Sequence, residues 1–217
     1  MPFINPYKEK AKTNDKILLD TEKIYALKGK WNNFFQNKKE IILEIGTGMG
    51  NTFSREIAKN KDYNFIGMEL RYKRLERTVE KTLAVGGIDF ILLKDYGENI
   101  DKIFESEEIQ KTIIFFPDPW EKVKQKEKRL LQSDFLKKLF SITKKNGIVQ
   151  IKTDHREYFD TIIKSIEKDS LWKIITLSYD YEKELEIFNK YEISEFEANY
   201  RGEKKNICYG EFEKVIL

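Results

Sequence analysis

A chain of 217 residues is long enough to bury one full hydrophobic core, and its formal net charge of +3 is too small to mark a nucleic-acid binder by charge alone. The single cysteine, Cys208, excludes an intrachain disulfide, and no apolar run approaches the length of a secretory leader or a membrane span. The expectation is a soluble cytoplasmic protein, and because 33 lysines stand against seven arginines, lysine runs carry less weight than they otherwise would.

Residues 1–20 are lysine-rich without clear periodicity. Residues 1–30 are therefore expected to form a basic N-terminal arm, lying on or off a single domain that spans 31–217. Tyr25, Leu27, Trp31, Phe34 and Phe35 then mark a short amphipathic segment. Strand-like runs follow at 41–45, 63–68, 88–93, 112–116, 147–151 and 172–177. Helical patterns lie between them near 51–60, 72–85, 98–108, 133–144 and 155–168. That alternation predicts an α/β fold, a mostly parallel sheet with helices on both faces. Residues 179–191 are acidic and aromatic with no clean period, and are expected as a loop or irregular helix. The alternating run 207–215 is expected as a seventh strand, antiparallel at the sheet edge.

The first strand run ends in Glu44-Ile45-Gly46-Thr47-Gly48-Met49-Gly50-Asn51, a strand, a glycine-rich turn and a helix start. Glycines let the backbone turn tightly and approach a ligand. The spacing G-x-G-x-G followed by Asn fits the dinucleotide fingerprint poorly. It suits an S-adenosylmethionine site, which has no phosphate to cradle. Glu44 is placed to orient the turn or receive the cofactor's ammonium group. Glu69, about 20 residues on, stands where an acidic side chain accepts from a ribose diol, with Arg71 just beyond it. At the third strand end, Asp95 is a candidate for the adenine amino group, and Tyr96 for a backbone N–H contact or ring stacking.

The fourth run, Thr112-Ile113-Ile114-Phe115-Phe116, stops at Pro117-Asp118-Pro119-Trp120. Two prolines flanking one residue forbid further strand, because each fixes φ and removes a donor. Asp118 therefore stands on a rigid turn at a strand end, the place where open α/β sheets bind ligands. Residues 121–129 follow with five basic and two acidic side chains. Taken singly these pieces also read as turn chemistry, a core aromatic and a solvated loop.

Together with Gly67-Met68-Glu69-Leu70-Arg71, Lys152-Thr153-Asp154 and Ser194-Glu195-Phe196-Glu197, in that order, these segments closely resemble the bacterial tRNA (guanine-N7)-methyltransferases. The resemblance runs from about Trp31 onward. It implies a class I, Rossmann-like methyltransferase with a seven-stranded mostly parallel sheet. The implied reaction moves a methyl group from S-adenosylmethionine to N7 of a variable-loop guanine in tRNA, releasing S-adenosylhomocysteine. It also implies that Glu44, Glu69, Asp95 and Asp118 contact the cofactor, within a candidate set that includes Gly46, Gly48, Gly50, Arg71 and Tyr96. Asp118 is the implied catalytic residue. Lys122, Asp154, Ser194, Glu195, Phe196 and Glu197 are the implied substrate contacts. Where that family usually has Pro-Lys-Lys-Arg-His, this chain has Glu121-Lys122-Val123-Lys124-Gln125, and Ser194 replaces the usual threonine.

Guanine N7 has a free lone pair and no proton, so the reaction needs alignment and charge stabilisation more than a base. Asp118 and Asp154 are expected on the guanine, Trp120 as a stacking partner, and Lys122, Lys124, Lys126, Lys128 and Arg129 on phosphates. No metal is expected. The chain is expected to act as a monomer or homodimer, with tRNA as partner. Rival readings are an S-adenosylmethionine-dependent methyltransferase of another RNA, a protein or a small molecule; a non-catalytic RNA-binding subunit; and an NAD oxidoreductase. The last has only His155 to offer as a catalytic histidine, and that residue is expected to begin a helix.

Overall fold

The computed structural model describes residues 5–169, 171–181, 183–184, 202 and 205–215. The chain divides into two units, Met1–Glu105 and Ser106–Leu217.

The first unit begins with helix α1 (Pro6–Thr13), strand β1 (Ile17–Leu18), and helices α2 (Thr21–Ala26) and α3 (Trp31–Phe35). It continues through β2 (Ile41–Ile45), α4 (Asn51–Lys59), β3 (Asn64–Met68), α5 (Tyr72–Ala84), β4 (Phe90–Leu93) and α6 (Ile100–Ile103). Every residue of β2, β3 and β4 is buried, as expected of parallel strands covered on both faces. All three pairings are parallel: β1 on β4, β4 on β3, and β3 on β2, with Glu44 opposite Gly67. Asn64 and Asn37 exchange side-chain amide hydrogen bonds of 2.8 and 3.1 Å, so the buried polar start of β3 is satisfied.

The basic N-terminal segment lies on this unit. Asn5 Oδ1 accepts from Tyr7 N–H and Pro6 occupies the first turn, a cap that contributes about 1 kcal/mol to an eight-residue helix. α1 packs on α5, where Lys10 Nζ stands 3.2 Å from the fully buried Glu76 and 2.9 Å from Glu80. Trp31 is fully buried and donates its indole N–H to the Ile103 carbonyl at 3.1 Å.

The second unit contains β5 (Ile109–Phe115), α7 (Ser133–Ile142), β6 (Thr143–Thr153), α8 (Arg156–Asp169), β7 (Trp172–Ser178) and β8 (Cys208–Lys214). β5 pairs parallel with β6, and β8 pairs antiparallel with both β6 and β7.

The seven expected strands are all present, and β1 is an eighth among the described residues. Two expectations are corrected. The last strand is antiparallel but does not lie at the edge: β8 sits between β6 and β7. Burial explains the order, since β8 is buried along nearly its whole length while β7 alternates with exposed positions. The helix expected over 98–108 is a 3₁₀ turn, Gly97–Asn99, and the four-residue α6; Ile109 already belongs to β5.

Candidate functional site

Strand β2 delivers Glu44, which is 4% exposed, to the start of the glycine turn. Gly46 and Thr47 donate their N–H groups to the Met68 carbonyl, at 2.8 and 3.1 Å, so the turn is tied to the end of β3. Gly46, Gly48 and Gly50 all have positive φ. At Gly50 the need is steric as well: a Cβ there would meet Thr78 Cα of α5 at 2.6 Å. At Gly46 a Cβ would meet nothing within 4 Å, so the backbone faces open space. Glu69 is buried and completes the turn. Its Oε2 accepts from Gly48 N–H at 3.1 Å, and its Oε1 accepts from Leu70 and Arg71 N–H at 2.8 and 2.9 Å. The turn and the start of α5 thus share one carboxylate. Arg71 is the N-cap residue of α5, and its side chain is exposed.

At the end of β4, Asp95 is 6% exposed. Its Oδ1 accepts from Tyr96 N–H and from the Asn99 side-chain amide, both at 2.7 Å. Its Oδ2 is buried without a hydrogen-bond partner among the described residues. Burial, and then the negative charge of Asp95, push the Tyr25 phenol upward in pKa. A buried carboxylate oxygen with spare lone pairs asks for a donor, and beside it the Tyr96 ring is 60% exposed.

In the second unit, Phe116 and Trp120 on either side of Pro117-Asp118-Pro119 have φ of 54° and 41°. Bulky residues adopt such values at a cost of about 1–3 kcal/mol each, and they persist only where surrounding structure enforces them. Phe116 N–H donates to the Lys152 carbonyl at 2.8 Å, and its ring packs on the buried cluster Tyr181, Ile207 and Tyr209. Asp118 itself is exposed and takes part in no hydrogen bond or ion pair among the described residues.

The basic loop runs through a 3₁₀ segment, Val123–Lys128. Lys122 and Lys124 are exposed. Lys126 pairs with Glu157, and Lys128 lies over the Trp120 ring at 5.3 Å. The expectation that Arg129 binds phosphate is corrected: Arg129 is 6% exposed and donates through Nε to the Pro119 carbonyl at 2.7 Å.

At the end of β6, Lys152 is fully buried and donates to the Tyr181 hydroxyl at 3.0 Å, with the rings of Tyr181, Phe115 and Tyr209 within 6 Å. Asp154 pairs with Lys205 at 3.3 Å. His155 accepts from Tyr158 N–H through Nδ1 and opens α8, as expected of a helix-starting residue. Ser194, Glu195, Phe196 and Glu197 lie outside the described residues. Sequence reading assigned no site role to Tyr25 and Tyr181, whose partners Asp95 and Lys152 are reached only through tertiary structure, nor to Asn99, whose partner Asp95 stands four residues before it. For Lys152, nothing in the sequence pattern distinguishes a buried lysine in a lysine-rich chain.

A family described as "Putative methyltransferase" matches residues 38–209. A tRNA (guanine-N(7)-)-methyltransferase of Mesoplasma florum is 32% identical over 215 residues, 95% of this chain and 93% of that protein. A bifunctional glycosyltransferase/methyltransferase of Fusobacterium nucleatum is 32% identical over 92% of this chain, which spans only 31% of that longer protein. Among solved structures, an rRNA methylase from Streptococcus thermophilus superposes with a TM-score of 0.55 at 13% identity, covering 82% of this chain and 88% of that one. That likeness establishes the fold as the Rossmann-like methyltransferase type.

Proposed function

The chain belongs to the tRNA (guanine-N7)-methyltransferase family, and from that premise we propose that it methylates N7 of a variable-loop guanine in tRNA. The observation that carries this reading is the carboxylate of Asp118, exposed and without a partner among the described residues on a turn strained at both shoulders. A turn enforced at such cost, with no internal use for its central side chain, serves a ligand.

The donor-side residues fit an S-adenosyl nucleoside. Asp95 Oδ2 is a buried acceptor without a donor among the described residues, suited to an adenine amino group, and the open space at Gly46 lets a ligand approach the backbone. Glu44, Gly46, Gly48, Gly50, Glu69, Arg71, Asp95 and Tyr96 are the proposed holders, with Asp118 as a further contact. When bound, S-adenosylmethionine supplies an electrophilic methyl carbon on a sulfonium. Glu69 already uses three backbone donors, so part of its role is to fix the turn. Glu44 supplies negative charge toward an ammonium group.

On the acceptor side, Asp118 is the proposed catalytic residue. It accepts from the N–H edge of guanine or offsets the positive charge that grows on the purine as N7 attacks, without having to remove a proton. Asp154 is proposed as a second contact to the base, and Lys122 and the segment from Ser194 to Glu197 as contacts to the RNA. A flipped guanine loses its stacking, which Trp120 is suited to replace.

The test incubates the protein with labelled S-adenosylmethionine and unmodified tRNA, then digests the RNA. Label in 7-methylguanosine is expected; label in another nucleoside or in protein would overturn the reading. Asp118→Ala is expected to keep tRNA binding while losing most single-turnover transfer, and a near-normal rate would remove Asp118 from the chemistry.

A further inference from the structure

We infer that Arg129 is a positioning residue: its guanidinium fixes the carbonyl of Pro119, and so the turn that presents Asp118, rather than binding RNA. Five basic side chains lie within residues 121–129, and Arg129 alone of these is buried. Its Nε–H bonds the Pro119 carbonyl at 2.7 Å, and its guanidinium carbon lies 4.8 Å above the centre of the Tyr158 ring. Tyr158 is a rigid platform, fully buried with its hydroxyl accepting from Leu131 N–H at 2.8 Å. Nη1 stands 3.7 Å from Glu157, and Nη2 is buried without a partner among the described residues.

This places a planar cation under one shoulder of a strained turn. The other shoulder is held by Phe116 N–H on the Lys152 carbonyl. Left-handed φ at Phe116 and Trp120 persists only if both ends are pinned, and Arg129 supplies the pin on the Trp120 side. A guanidinium enclosed in this way is also out of reach of a phosphate. Lysine would serve a phosphate contact nearly as well as arginine. It cannot reproduce the stack on Tyr158 with the sideways N–H to Pro119, because that geometry belongs to the planar fork.

The inference rests on Asp118 being the catalytic residue, and Arg129→Lys separates the two claims. The folded variant is expected to lose turnover on the order of 100-fold, as a small misplacement of a reacting group does. The salt dependence of its tRNA affinity should stay unchanged. Acrylamide quenching of tryptophan fluorescence should rise, because Trp31 and Trp172 are buried and Trp120 is the accessible indole. Normal turnover, or a loss confined to tRNA affinity with a shallower salt slope, overturns the inference. If Arg129→Lys does not fold, Arg129→Ala is assayed with millimolar guanidinium. Restored turnover there, with none restored in Asp118→Ala, supports the inference, and no restoration overturns it. If the unmutated protein transfers no methyl group to tRNA, the functional reading fails, and the quenching comparison alone decides Arg129.

Discussion

Gly46 and Gly50 share one turn and one sign of φ, yet the structure asks different things of them. At Gly50 helix α5 is in the way: alanine would put its Cβ 2.6 Å from Thr78 Cα, on top of the left-handed strain. Gly50→Ala is expected to cost about 2–4 kcal/mol of stability, read by urea unfolding. Gly46→Ala adds a methyl group to open space, so only the strain applies, about 1–2 kcal/mol. Its larger effect should be weaker binding of S-adenosylhomocysteine, by tenfold or about 1.4 kcal/mol, measured calorimetrically. Cys208 gives a prediction of a different kind. Burial pushes its thiol from 9.0 up to about 11. Between those values the unfolded chain loses the proton and the folded chain keeps it. The stability this contributes is complete below pH 9 and disappears as pH rises through 11. Unfolding curves from pH 8 to 11 should therefore fall more steeply for the natural chain than for Cys208→Ser. Equal slopes would mean that the thiol is not the responsible group.

At the scale of elements, the basic loop is where sequence and structure diverge most usefully. Its five cations look alike as a string, but three are engaged: Lys126 with Glu157, Lys128 over Trp120, and Arg129 with Pro119. Among the described residues, Lys122 and Lys124 are exposed without such a contact. Neutralising that pair should reduce the salt slope of tRNA binding by about two phosphate equivalents, whereas neutralising Lys128 should change it less. Equal slopes for the two variants would make the loop an undifferentiated charged surface. The same limit on sequence reading explains α1. Its eight residues carry no apolar periodicity, and what holds them is a cap at Asn5 and the ion pairs of Lys10 with Glu76 and Glu80, 66 or more positions away. Strands β2 to β4 were legible because burial on both faces writes itself into consecutive apolar residues. The insertion of β8 between β6 and β7 was not, because strand order depends on pairing across distant segments.

For the whole molecule, the carboxylates at the strand ends were legible from their spacing, whereas the division of labour among them was not. Glu69 spends its oxygens on Gly48, Leu70 and Arg71, so it shapes the turn; Asp95 keeps one buried oxygen without a hydrogen-bond partner among the described residues. Ligand-linked stability separates these roles. A ligand at a hundredfold its Kd raises the folding free energy of the chain that binds it by about 2.7 kcal/mol. S-adenosylhomocysteine should do this for the natural protein. Asp95→Asn keeps the shape of the side chain but is able to present an amide donor where the adenine amino group needs an acceptor. Its own melting temperature should change little, while the increment from ligand shrinks. Glu69→Ala frees three backbone donors at once, so its melting temperature should fall before any ligand is added, and the increment should shrink as well. The measurement is a set of thermal melts with and without S-adenosylhomocysteine at fixed concentration. An Asp95→Asn protein with the full increment would remove Asp95 from the adenine site, and a Glu69→Ala protein with unchanged intrinsic stability would remove Glu69 from the scaffold of the turn.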